Sequence, residues 1–268
     1  MFKLFGIAFI GTAALFAQDN AERTAVPLHD PSRPARIVAQ LLNGGITVHG
    51  ADVKEVTVEA RGRSEREGRE RSPRTDGMRR LELPGNAGLD IVEEDNVVHV
   101  RTASPNQNAD LVITVPRRSS LQLKSVNNGD IVVDQVDGEI DVDDLNGKIV
   151  LKNVSGSVVA HSLNGSVTVS LDRIDSAKPM SFSTLNGDID VTIPDTLKAN
   201  VVMKTDSGEI YSDFDVKLTT QSNMTSKKES DGSYRVHFDR ALRGTINGGG
   251  PEFQFTSFNG QIYLRKKK

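Results

Sequence analysis

The chain has 268 residues, 37% of them hydrophobic and 26% charged, with a formal net charge of −3. This is long enough to bury a core, and with no charge extreme the chain reads as globular or solenoidal. Cysteine is absent, which excludes disulfides, thiolate metal sites, a cysteine nucleophile and lipidation on an N-terminal cysteine.

Aromatic residues are only 5% and tryptophan is absent. Val, Ile and Leu dominate the apolar positions, which suits thin stacked β layers. Residues 1–17 carry Lys3, then an apolar run ending in small residues before Gln18-Asp19-Asn20. This is the pattern of a secretory signal peptide; the run is shorter than the roughly 20 residues that span a bilayer, so cleavage rather than anchoring is expected. The cut site is left open by the bulky Leu15. No second apolar span follows, so no transmembrane segment is expected in the mature chain.

Residues 18–36, with Pro27, Pro31 and Pro34, read as an extended leader that need not fold. Strand signals begin at Ile37 and recur in 54–60, 97–100 and 110–115, so 37–126 is expected to form less regular opening coils that cap an exposed end. Residues 61–80 interrupt them with eight Arg, three Glu and one Asp. Read as a solvated loop, this stretch needs no ligand; read functionally, Arg61, Arg63, Arg66, Arg69, Arg71 and Arg74 would attract anionic glycan, lipopolysaccharide or lipid headgroups. No aromatic residue is interleaved and export removes the chain from nucleic acid, so nucleic-acid binding is not expected.

From Asn128 to Asp172 five nonapeptides follow without a gap, opening Asn128-Gly129-Asp130-Ile131, Asp137-Gly138-Glu139-Ile140, Asn146-Gly147-Lys148-Ile149, Ser155-Gly156-Ser157-Val158 and Asn164-Gly165-Ser166-Val167. Position 2 is always Gly. Asn and Gly turn the chain, while positions 4 and 6 share one face of a short strand. Position 9, occupied by Val136, Leu145, Val154 and Leu163, is expected to point inward before the next turn. Related copies stand at Asn43-Gly44, Asn186-Gly187, Ser207-Gly208 and Asn259-Gly260.

Nine residues are too few to close a coil, whereas 18 are enough. A period of 18 sets Asp130 beside Lys148 and Asp134 beside Lys152 in adjacent coils, about 4.8 Å apart. The expected fold is therefore all-β, a single β-solenoid with two-sided coils of about 18–22 residues over 127–265. An antiparallel meander competes, because Asn-Gly between apolar strands is also a hairpin signal; the alternating turn types and wider later spacings favour the solenoid. Near the end, Phe253, Phe255 and Phe258 suit a closing coil that plugs the core.

Chemistry is sparsely signalled. His29, His49, His99, His161 and His237 share no metal-ligand spacing. Asp130, Asp134, Glu139, Asp141, Asp143 and Asp144 are concentrated enough to suggest a polysaccharide-active enzyme, but lysines would face the best-placed pair and edge charges explain them more simply. The position-3 column of Asp, Glu, Lys, Ser, Ser lacks the fixed Asp of calcium-binding nonapeptides, so no calcium array, and no other cofactor, is expected.

Several motifs together resemble a bacterial family of presumed adhesins with β-strand repeats. They are the stretch ending Val112-Ile113-Thr114-Val115-Pro116, the run from Leu121 to Ile131, Ile193-Pro194 with 201–210, and Gly248-Gly249-Gly250-Pro251 through Ile262. The resemblance implies envelope localisation and no assigned catalytic residues. An exported, non-enzymatic scaffold, periplasmic, on the outer surface or extracellular, is thus the leading expectation, with a glycan, lipid headgroups or another envelope protein as partner. A carbohydrate-active enzyme and an envelope-stress sensor are the alternatives.

Overall fold

The computed structural model describes residues 21–62, 89–102, 108–127, 129–175, 178–219, 224–228, 234–238 and 241–268. Every regular element among the described residues is a strand. The first eight are β1 (Ala21–Pro27), β2 (Ala35–Asn43), β3 (Ile46–Ala51), β4 (Glu55–Gly62), β5 (Leu89–Glu94), β6 (Val97–Thr102), β7 (Ala109–Pro116) and β8 (Ser119–Asn127). Then come β9 (Ile131–Asp134), β10 (Asp137–Asp144), β11 (Ile149–Asn164), β12 (Val167–Ile174), β13 (Met180–Asn186), β14 (Ile189–Ile193), β15 (Ala199–Thr205) and β16 (Ile210–Ser212). The last are β17 (Lys217–Leu218), β18 (Met224–Lys228), β19 (Tyr234–Phe238), β20 (Leu242–Ile246), β21 (Glu252–Asn259) and β22 (Ile262–Lys266). β18 and β19 form a separate antiparallel pair.

The other strands stack on two faces of a flattened solenoid. One face runs β1-β4-β7-β3-β9-β11-β12-β14-β22-β16. The opposite face runs β5-β6-β2-β8-β10-β11-β13-β21-β15-β20-β17. β11 crosses the corner and serves both faces. Interior pairings are parallel, and antiparallel pairs occur only at the two ends, so the fold is a solenoid and not a meander. Those end strands cover three of the four edges that a parallel stack would leave open, and the short β16, parallel to β22, ends the fourth.

The register carries the expected period: Ile131 pairs with Ile149 and Ile149 with Val167, while Val167 pairs with Ile189 at the wider spacing. Asp134 stands beside Lys152, but its Oδ1 accepts the Asn153 amide (3.2 Å), and Asp130 Oδ1 accepts the Lys148 backbone N–H (2.8 Å). A carboxylate at this turn position therefore ties one coil's backbone to the next. Asp188 does the same for the Gln261 N–H (2.8 Å).

Inward side chains interleave from both faces. Ile131, Val133, Ile149, Leu151, Val167 and Val169 meet Leu121, Leu123, Ile140, Val142, Val158 and Ala160, all buried. Towards the C-terminal end the core widens around Phe182 stacked on Phe255, ring centroids 5.2 Å apart.

Two side-chain ladders hold the turns at one corner. Asn127, Asn146, Asn164, Asn186 and Asn259 pass amide bonds from coil to coil at 2.7–3.2 Å. Asn127 is the ladder member in its coil. Just inside, hydroxyls donate to a glycine carbonyl of the adjoining coil: Ser125 to Gly44 (2.9 Å), Ser162 to Gly147 (3.0 Å), Thr184 to Gly165 (2.8 Å), Ser257 to Gly187 (3.1 Å) and Thr205 to Gly260 (2.8 Å).

The coils do not stack in chain order. The β2–β3 coil lies between the β6–β7 and β8–β9 coils, and the β21–β22 coil lies between β13–β14 and β15–β16. Phe253 and Phe255 fill the core as expected, but Phe258 faces outward, and β21 sits one coil inside the end rather than closing it. Residues 21–27, read as a leader, are extended and hydrogen-bonded to β4 as β1.

Candidate functional site

Residues 1–17, the expected signal peptide, lie outside the described residues, as do Arg63, Arg66, Arg69, Arg71 and Arg74. Arg61 is described: it is exposed on β4, in register with Ala21 on one side and Asp110 on the other.

The carboxylates of the repeat are spread over different surfaces. Asp130 and Asp134 make the coil-to-coil bonds above. Glu139, Asp141 and Asp143 point outward along β10, Glu139 paired with Lys178 and Asp143 with Lys124 at 2.9 Å. Asp144 points inward and is fully buried. His161 is exposed and shares a 2.8 Å hydrogen bond with Ser183. Among the described residues no group of three or more His, Asp or Glu side chains is placed to hold a metal.

Position 9 behaves differently in the two half-coils. Val136 and Val154 point inward and are buried, as expected. Leu145 and Leu163 do not: inward residues on β10 are Ile140, Val142 and Asp144, so strand alternation turns Leu145 outward, and Ser162 does the same to Leu163. Pairings that flank this position put Leu42, Val126, Leu145, Leu163, Leu185 and Phe258 in one row. Leu42 is 44% exposed, Leu145 39%, Leu185 40% and Phe258 49%. Six positions at one strand spacing make a ridge about 24 Å long.

On both sides of this ridge polar side chains engage one another. The asparagine ladder runs along one side. On the other, Lys124 pairs with Asp143 and His161 bonds Ser183. An apolar row inside a rim of engaged polar side chains has the anatomy of a protein-contact surface.

At the opposite edge of the same face a cleft of about 720 Å³ passes Arg118, Asp137, Glu139, Arg173, Asp175 and Lys178. Its charges are largely paired with each other, Arg173 with Asp137 and Lys178 with both Glu139 and Asp175. Glu139 holds the Lys178 ammonium above its ordinary range.

Residues 113–241, from β7 through the stacked repeat, match the family described as Toastrack, a domain of unknown function (DUF4097). Over that stretch, just under half of its length, the chain is similar to the Toastrack family. Two crystal structures are similar to it. A presumed cell adhesion protein from Clostridium sporogenes is 10% identical, covered over 92% of this chain and 99% of its own with a TM-score of 0.44. A presumed adhesin from Bacteroides fragilis is 12% identical, covered over 92% and 97% with a TM-score of 0.29. No curated protein matches the chain. No helix among the described residues is long and apolar enough to cross a membrane.

Proposed function

We propose that this protein is an exported, non-enzymatic binding scaffold that docks an apolar protein surface along the ridge from Leu42 to Phe258. The carrying observation is the ridge itself. The turns are already fixed by glycine, asparagine and hydroxyl ladders, so nothing in the fold requires leucine at these exposed positions. A glycan would call for unengaged polar groups and a lipid headgroup for unpaired cations, whereas Lys124, Asp143, His161, Ser183 and the asparagine ladder beside the ridge bond to each other. A row this narrow falls short of a stable obligate interface, which fits reversible docking. Export rests on the charge and apolar pattern of residues 1–17, and the arginines at 61–74 would strengthen attraction to an anionic partner.

The test is site-specific photo-cross-linking in intact cells, with the cross-linker at Leu145 or, as a control on the same face, at Val159. A discrete protein adduct at 145, absent at 159 and lost on Leu185→Ser with no change in thermal stability, is expected. Adducts to lipid or glycan at 145, or equal adducts at both positions, would overturn the reading. Fractionation of the same cells checks export, which a cytosolic, full-length chain contradicts. Turnover of an acidic polysaccharide that disappears in Asp141→Asn or Asp143→Asn would establish an enzyme instead.

A further inference from the structure

Asp144 occupies a place that five other coils give to a hydroxyl. Its register partners are Ser125 on β8 and Ser162 on β11, both members of the ladder that donates to glycine carbonyls. By the same offset the carbonyl available to Asp144 is that of Gly129. A Cβ built on Gly147 would lie 2.1 Å from Gly129 O and 2.6 Å from Asp144 Oδ2, so the two oxygens converge on one small space. At the equivalent Gly165, a Cβ would meet Gly147 O at 2.0 Å and Ser162 Oγ at 3.1 Å, and those two atoms share a hydrogen bond.

As a carboxylate, Asp144 is poorly served. Oδ1 accepts the Asn146 N–H at 3.2 Å, whereas buried Oδ2 has no hydrogen-bond partner. Two oxygens without a hydrogen between them repel, and a buried orphan acceptor carries the full desolvation cost. No described cation offsets it. Asp130 and Asp143 nearby are anionic, Lys124 on β8 is paired with Asp143, Lys148 in the same turn is exposed, and His161 on β11 bonds Ser183.

We propose that Asp144 is held in the fold as a neutral carboxylic acid whose Oδ2–H donates to the Gly129 carbonyl, completing the hydroxyl ladder across this coil. One proton placed on Oδ2 converts a repulsive oxygen pair into a hydrogen bond and removes a buried charge. Burial, aided by the negative charges of Asp130 and Asp143, pushes this carboxyl up to about 7.

The consequence for stability has a definite sign. Below pH 4 the acid is neutral in folded and unfolded chains alike. Between about 4 and 7 the unfolded chain ionises while the folded one keeps its proton, so stability falls as pH rises and then levels off.

Carbon-13 titration of the aspartate carboxyls in the intact protein is expected to show Asp144 moving with a midpoint near 7; a midpoint near 4 would overturn the proposal. Thermal unfolding supplies a second measurement. Asp144→Ser supplies the ladder hydroxyl without the charge, and its Tm relative to wild type is expected to rise by roughly 5–10 °C between pH 4 and pH 8. An unchanged difference across that range would sink the idea. Asp144→Asn, whose amide can also donate to Gly129, should show the same trend, and if neither variant folds the carboxyl titration decides alone.

Discussion

Deletion of residues 252–268 is expected to abolish cooperative folding, an outcome that an ordinary stack of repeats would not give. In a solenoid each repeat touches only its neighbours, so loss of a terminal repeat usually frays one end. Here the coil formed by β21 and β22 is interior. Its removal parts β13 and β14 from β15 and β16 on both faces and takes Phe253, Phe255, Ile262 and Leu264, all buried, out of the core. Each such side chain contributes about 1.5–3 kcal/mol by burial alone, and a domain's net stability is only about 5–15 kcal/mol. Circular dichroism with urea unfolding is the measurement. Removal of residues 21–27 gives the contrast, since β1 is an edge strand paired to β4 alone and its loss should leave a cooperative transition. A truncation of 252–268 that still unfolds in one transition, shifted no further than the β1 deletion, would refute the nested arrangement.

Gly165→Ala is the second large effect. Its Cβ would lie 2.0 Å from the Gly147 carbonyl oxygen and 2.6 Å from that carbonyl carbon, both backbone atoms. Relief requires the coils to separate, yet the Asn164 N–H donates to Leu145 O at 3.0 Å and Asn164 bonds both Asn146 and Asn186. The same close approach recurs up the column, where Gly187, Gly260 and Gly208 would each meet the preceding glycine's carbonyl oxygen at 1.9–2.4 Å. A loss of about 3 kcal/mol or more is expected, seen as a lower urea midpoint with an unchanged slope. Gly248→Ala separates sterics from backbone strain: nothing lies within 4 Å of its Cβ, but φ is +92°, so about 1–2 kcal/mol is expected. Equal costs at the two sites would show that coil-to-coil contact is not what excludes a side chain from the column.

The proton on Asp144 and the ridge beside it meet in one turn. Asp144 directly precedes Leu145, Asn146 and Gly147, which belong respectively to the ridge, the amide ladder and the glycine column. A single turn therefore carries a structural bond outward, a close backbone approach along the stack and a buried acid inward. The half-coil that contributes Val136 and Val154 has no such surplus, because both valines are buried.

The two-sided coil was legible because its causes are local. Asn-Gly turns and residues alternating at positions 4 and 6 act over fewer than ten residues, and stacking identical turns leaves only a period near 18 able to close a coil. The pairing of 130 with 148 and of 134 with 152 followed from that period, although the bonds formed are to a backbone N–H and to Asn153 rather than to lysine ammonium groups. Reading position 9 as uniformly inward failed for a reason that is also physical. Gln135 and Asn153 adopt positive φ, +58° and +51°, and this resets the alternation so that Val136 and Val154 turn inward. No such residue interrupts the run from Ile140 to Asp144, so Leu145 keeps its phase and faces out. Two apolar residues in the same column of the repeat thus end on opposite sides of the wall.

By itself the sequence determined the strands, the turns and the spacing between coils, since these depend on residue types close together along the chain. Only the tertiary structure decided which coil lies against which, because coils of similar width and polarity can stack in more than one order and the long segments between β4 and β5 and between β17 and β20 leave the choice open. It was that stacking which placed Leu42 and Phe258, 216 positions apart in the sequence, at the two ends of one ridge, and which set Asp144 in a column of hydroxyls.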